Sequence, residues 1–172
     1  MNYAKLFTGF IFHSSLDINT VIKTLQKKFG SIDYESPVWE FNFTDYYYKE
    51  MGKPLKRKFV FFKKLINPSR IADIKLFCIK IEKKFSENNK RKVNIDPGYL
   101  NLSQLVLSTH KPFFHRIYLT KGVYAEVTLY YKNKTFNPFE WTYPDYRTSL
   151  YIEFFNQARK IYKMQITPEK KS

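Results

Sequence analysis

Acidic residues are scarce in this chain: 15 Asp and Glu stand against 30 Lys and Arg in 172 residues, for a formal net charge of +15. Self-repulsion at that charge opposes compaction, so the excess points to an anionic partner rather than to the fold. Cysteine is scarcer still. Cys78 is the only one, which excludes an intrachain disulfide and a cysteine-based zinc site. Its place in an apolar helical stripe predicts a small core residue, not a nucleophile. No stretch approaches the roughly 20 apolar residues of a membrane span, and no basic leader precedes an apolar run with a small-residue cleavage site. A cytoplasmic protein with no membrane partner is expected. G-x-x-x-x-G-K-[ST], H-E-x-x-H, G-x-S-x-G and paired C-x-x-C are all missing, which argues against the chemistries those motifs carry. His110 and His115 stand five apart across Pro112, too irregular for a metal pair, and His13 reads as a hydrogen-bonded edge residue.

Aromatic residues are abundant, at 19% with 17 Phe and 14 Tyr. Phe can fill a core, whereas Tyr needs a partner for its hydroxyl, so many tyrosines are expected on rims and in clefts. The length predicts one domain over residues 1–165 and a frayed tail over 166–172. Charge is unevenly spread. Between Lys49 and Lys92 there are 15 Lys or Arg and four acids, a local excess of +11. A basic stretch interleaved with aromatics predicts a face that meets phosphates.

Periodicity orders the elements. Ala4 to Phe12 reads as a buried strand. Asp17 caps a helix with the stripe Ile18, Val21, Ile22, Leu25 and Phe29, stopped by Gly30. A strand over 32–43, interrupted near Pro37, precedes a loop from Thr44 to Leu55 and a strand over 57–66. Asn67 and Pro68 start a helix buried through Ile71, Ile74, Cys78, Ile81 and Phe85, ending near Asn88-Asn89. A strand follows over 92–95. This is an α+β protein with a ferredoxin-like βαββαβ core, two helices on one face of its sheet. The rest adds a short element near 102–108 and a hairpin of 115–120 with 123–131, turning at Lys121-Gly122. A final helix over 149–164 is expected to bury Leu150, Phe154, Ala158 and Ile161.

Two strands of this core resemble the RNA recognition motif: Lys5-Leu6-Phe7-Thr8-Gly9-Phe10 and Lys56-Arg57-Lys58-Phe59-Val60-Phe61-Phe62. Lys58 replaces the usual glycine pair, and Phe10 stands where that family often has Asn. The resemblance implies base stacking on Phe7, Phe59 and Phe61, with Lys56, Arg57 and Lys58 reaching phosphates. A broader pattern joins the polar islands 43–52, 93–99, 115–118, 124–126 and 141–147. From Lys5 to about Tyr162 the chain resembles a bacterial family of uncharacterised proteins, numbered 4416 among domains of unknown function. That resemblance groups residues without implying an activity.

The islands hold Asp45, Glu50, Asp96, Glu126 and Asp145, each beside Tyr, His or Arg. Asp45, Asp96 and Glu126 offer oxygen ligands suited to Mg²⁺. His115 is a candidate general acid or base, and Arg116 and Arg147 are candidate phosphate clamps. Plainer uses exist for the same residues. Asp96-Pro97-Gly98 can be a turn, Glu126 and Arg116 a cross-strand ion pair, and Tyr143-Pro144-Asp145 a turn into the last helix. Three functions follow. The leading expectation is binding of a phosphate-rich partner, RNA, through residues 49–92. The rival is a metal-assisted enzyme acting on a nucleotide or phosphorylated metabolite at Asp45, Asp96, His115, Glu126 and Asp145. The third is a module that docks an acidic protein.

Overall fold

The computed structural model describes residues 3–167. In chain order the elements are β1 (Ala4–His13), α1 (Ile18–Phe29), β2 (Ile32–Glu35), β3 (Trp39–Phe41), α2 (Tyr48–Met51), β4 (Leu55–Ile66) and α3 (Ile71–Lys84). There follow β5 (Ser86–Glu87), β6 (Lys90–Arg91), β7 (Val93–Leu100), β8 (Gln104–Thr109), β9 (Ile117–Thr120), β10 (Val123–Lys132), β11 (Thr135–Pro138) and α4 (Ser149–Ile166). The fold is α+β. Nine strands form one sheet in the order β11-β10-β8-β7-β1-β4-β2, with β3 also on β4 and β9 also on β10. Every pairing in it is antiparallel.

Helix starts follow the sequence signals. Asp17 accepts the N–H of Asn19, and Asn67 accepts that of Ser69 above a single 3-10 turn that leads into α3. The other end of α3 departs from the expected one. The helix stops at Lys84, and Asn88-Asn89 are the positive-φ turn of the small hairpin β5–β6. Lys121-Gly122 turn β9 into β10 with positive φ at both residues, as expected.

Two faces of the sheet are covered differently. Leu6, Phe10 and Phe12 of β1 join α1 and α3 in one apolar cluster. On the opposite face, Phe7 of β1 and Phe59 and Phe61 of β4 pack under α4. The buried stripe of α4 is Tyr151, Phe154, Phe155, Ala158 and Tyr162, whereas Leu150 is half exposed and Ile161 only partly buried. The stripe lies one step round from the expected one because two tyrosines find partners inside: Tyr151 stacks on Trp39 and Tyr162 donates its hydroxyl to the Tyr3 carbonyl. α4 runs through Ile166, inside the segment expected to fray, and residues 168–172 of that segment lie outside the described residues.

Candidate functional site

Asp96-Pro97-Gly98 is not a turn but the middle of β7, paired with Gly9, Thr8 and Phe7 of β1. On its other edge β7 pairs with β8 only from Gly98 to Leu100. Gly98 is required there, since a Cβ would come within 2.3 Å of the Val106 carbonyl oxygen and 2.8 Å of the Phe7 ring. Beyond it the strands part. Pro97 has no N–H to offer β8, and its carbonyl accepts from the Ser108 hydroxyl at 2.7 Å instead. The bared edge is satisfied from α3. Ile95 donates its N–H to Glu82 Oε1 at 2.6 Å, and its carbonyl accepts from Lys75 Nζ at 3.0 Å. The result is a split in the sheet.

That split opens into a cleft of about 540 Å³. Its floor continues the α4-facing side of the sheet past the end of the phenylalanines. Where β4 carries Phe59 and Phe61, the next residue on that face is Arg57, and the cross-strand neighbours Ile11 and Asn94, then Gly9 and Asp96, complete the surface. Gly9 leaves room for this arrangement: a Cβ would lie 2.8 Å from the Phe59 ring and 3.4 Å from Arg57 Nη1. Arg57 is 3% exposed. It pairs with Asp145, with the Phe59 and Phe41 rings 4.8 and 5.1 Å from its guanidinium carbon. Burial pulls its pKa down, but Asp145, together with Tyr146 and Tyr151, more than offsets this, so the group is held cationic. The buried Tyr146 hydroxyl in the same floor has no hydrogen-bond partner among the described residues. Phe43, Tyr46, Tyr47 and Tyr143 supply aromatic walls. Across the mouth, Lys111 Nζ meets the Tyr46 hydroxyl at 2.5 Å.

Opposite charges alternate around the walls. Lys75 meets Asp96 Oδ1 at 3.3 Å, and Asn94 donates to Asp96 Oδ2 at 2.7 Å. Arg91 donates to both oxygens of Glu50, at 2.7 and 2.8 Å, and to Asn94 at 2.9 Å. Hydrogen bonds from Arg91 hold the Glu50 carboxyl below its ordinary range. Burial pushes Glu82 up, only partly countered by Lys75. Glu126, 2% exposed, accepts from His115 Nε2 and Arg116 Nε, both at 2.8 Å. Arg116 also donates to the Tyr143 hydroxyl at 2.9 Å, and burial raises the pKa of that tyrosine.

Of the five acid–base candidates, Asp96, Glu126 and Asp145 therefore line one cleft. His115 stands behind Glu126, stacked on Trp141 at 4.9 Å. Asp45 is exposed and not part of the wall; its carbonyl accepts the Tyr48 N–H. The expected Mg²⁺ set of Asp45, Asp96 and Glu126 is thus not assembled. Among the described residues no group of three or more His, Cys, Asp or Glu is placed to hold a metal. Arg147 is tied to the Thr142 and Glu140 carbonyls, so it orders a loop and does not reach the cleft as a clamp.

The open basic face also loses its centre. Arg57 is buried, Lys58 is held by the Ser36 carbonyl at 2.6 Å and by Glu35, and Lys56, paired with Glu40, keeps 26% exposure. Phe7, Phe59 and Phe61 are fully buried beneath α4, so these rings have no free surface on which a base can stack. Sequence reasoning missed Lys75, Glu82 and Arg91, which it counted only as surface charge. A signal was present: Lys75, Ile79 and Glu82 repeat at i, i+4 and i+7, one stripe of α3 beside its apolar one.

The chain belongs to the family described as a domain of unknown function, DUF4416, which matches residues 2–162. Comparisons with curated proteins and with solved structures each find no match. Among the described residues no helix is long and apolar enough to cross a membrane.

Proposed function

We propose that the split between β7 and β8 binds a nucleotide or a phosphorylated metabolite, and that the protein acts on that ligand there. One observation carries this reading: side chains distant in sequence (Arg57, Lys75, Asp96, Glu126 and Asp145) converge with four aromatic walls in a single cleft. Its volume falls in the range of about 300–1,000 Å³ typical of small-molecule sites. The tyrosines and Phe43 suit a planar ring, and Lys75, Arg91 and Lys111 suit an anionic group. The unpartnered Tyr146 hydroxyl gives a bound acceptor something to meet, because a buried polar group without a partner is costly. Asp96 is the carboxylate for proton transfer, as its side chain keeps 28% exposure whereas those of Glu126 and Asp145 keep 2% and 5%. The flanking strands β7-β1-β4-β2, with α1 and α3 as their crossovers, support a ferredoxin-like core from which β8–β11 and α4 extend.

RNA binding draws less support. Arg57, Lys58 and Lys75 are buried, and the exposed lysines of the basic segment are divided among the end of β4, α3 and the β5–β6 hairpin. The test is to purify the native protein at low salt, denature it and identify what is released by mass spectrometry. The reading expects a phosphorylated or nucleotide-like molecule, and a rise in melting temperature when that compound is added back. No released small molecule, with no thermal shift across nucleotides and sugar phosphates, would overturn it; a co-purifying RNA would favour the alternative.

A further inference from the structure

We propose that the floor of the cleft recognises a ring carbonyl, so that the ligand is a nucleotide whose base carries a keto oxygen and an adjoining N–H, with its phosphate at the mouth beside Lys111. This rests on the cleft being the ligand site and adds which end of the ligand lies where. Two side chains carry it. Arg57 is 3% exposed and Tyr146 2%, and both line the cleft. Asp145 engages Arg57 through Nη2, and Tyr151 lies against the same guanidinium. Nε and Nη1 nonetheless have no hydrogen-bond partner among the described residues, and neither has the Tyr146 hydroxyl. Gly9 sets no side chain against Nη1, where a Cβ would stand 3.4 Å away. A buried donor left unpaired is costly, so three in one floor call for an acceptor brought by the ligand.

Charge selects the kind of acceptor. Asp145 already neutralises Arg57, and a phosphate or carboxylate placed there would face the Asp145 charge in a medium that screens little. A neutral carbonyl oxygen avoids that repulsion. It also has two lone pairs for two of the donors, where a ring nitrogen has one. The N–H that adjoins such a carbonyl can join Asp145, because a carboxylate accepts more than one hydrogen bond. At the rim the balance differs. Lys75 is paired with Asp96 and Arg91 with Glu50, whereas Lys111 Nζ meets the hydroxyl and ring of Tyr46. Of the cations lining the cleft, Lys111 alone has no carboxylate partner among the described residues, so the phosphate belongs there.

The probes are GMP, IMP, AMP and ribose 5-phosphate, titrated into the full chain by calorimetry. GMP and IMP present the carbonyl and its ring N–H, while AMP in the same place sets an amine against the donors. GMP and IMP are expected to bind about 10- to 100-fold tighter than AMP, the scale of a hydrogen bond to a charged group. Tyr146→Phe removes a hydroxyl that has no partner in the protein. It should weaken GMP and IMP about tenfold, leave AMP unchanged and not lower the melting temperature. Lys111→Ala should weaken all four ligands by a common factor, since a phosphate contact does not read the base. Equal affinity for GMP and AMP, GMP binding indifferent to Tyr146→Phe, or binding unchanged in Lys111→Ala would overturn the proposal. So would binding of ribose 5-phosphate with no nucleotide bound, a result that leaves the cleft as a ligand site; binding of none of the four would remove both.

Discussion

The same face of β4 is built in two ways. Under α4 it presents Phe59 and Phe61, which meet Phe154, Phe155 and each other's neighbours at ring distances of 5.1–6.3 Å. Two residues earlier it presents Arg57, locked to Asp145 at the base of the cleft. The aromatic half gains free energy from burial. A buried ion pair generally does not: its desolvation can equal or exceed the attraction it recovers. The first half therefore accounts for the fold, and the second calls for another reason to exist, which the proposed ligand site would supply.

The contrast breaks most visibly in single substitutions. Phe59→Ala should cost about 3–5 kcal/mol by leaving a cavity, read as a drop in the urea midpoint, without removing any group that faces the ligand. Asp145→Ala should cost about as much, 3–5 kcal/mol, because it strands the Arg57 charge in a buried site. The two halves separate when both partners are replaced. Arg57→Met with Asp145→Leu should restore stability to the wild-type level or raise it by about 1–4 kcal/mol, while the compound recovered with the native protein no longer shifts the melting temperature. If the double variant remains as unstable as Asp145→Ala, the ion pair is structural and the contrast fails.

A smaller effect tests the split itself. Gly98→Ala places a methyl against the Val106 carbonyl and the Phe7 ring and should cost about 1–3 kcal/mol through overpacking. Less still is expected from Glu50. Its folded-state pKa lies below the ordinary carboxylate value, so the Arg91 contact stabilises fully above that value and fades as pH falls through the lowered one. Urea melts at neutral pH and at about pH 3.5 should therefore differ less in Glu50→Gln than in the wild type. Lys56→Ala, removing a pair open to water, should fall within about 0–1 kcal/mol.

Local signals made most of the fold legible. The Asp17 and Asn67 caps, the stripe of α1 and the Lys121-Gly122 turn depend on residues close in sequence, and each element stands where it was expected. The errors came where tertiary context decides. Pro97-Gly98 has the chemistry of a turn, yet β1 holds it extended, and its missing N–H falls on an edge that has no strand to bond. Tyrosine was placed on rims, but a helix laid over an aromatic floor takes Tyr151 and Tyr162 inside. At the site, carboxylates beside aromatic or basic neighbours led to Asp96, Glu126 and Asp145. Lys75, the partner of Asp96, and Arg91, which holds Glu50 beside it, were hidden within a segment read as a sum of charge.

The most direct test of the ligand site is an amide NMR titration of the wild-type protein with ATP, GTP and ribose 5-phosphate, followed by a short single-stranded RNA. The account predicts that at least one of the small molecules shifts the amides of residues 94–96, 44–47 and 108–111, which border the split. Shifts confined to residues around Lys63, Lys64, Lys83, Lys84 and Lys90 on adding RNA, with residues 94–96 unmoved by every small molecule, would contradict it.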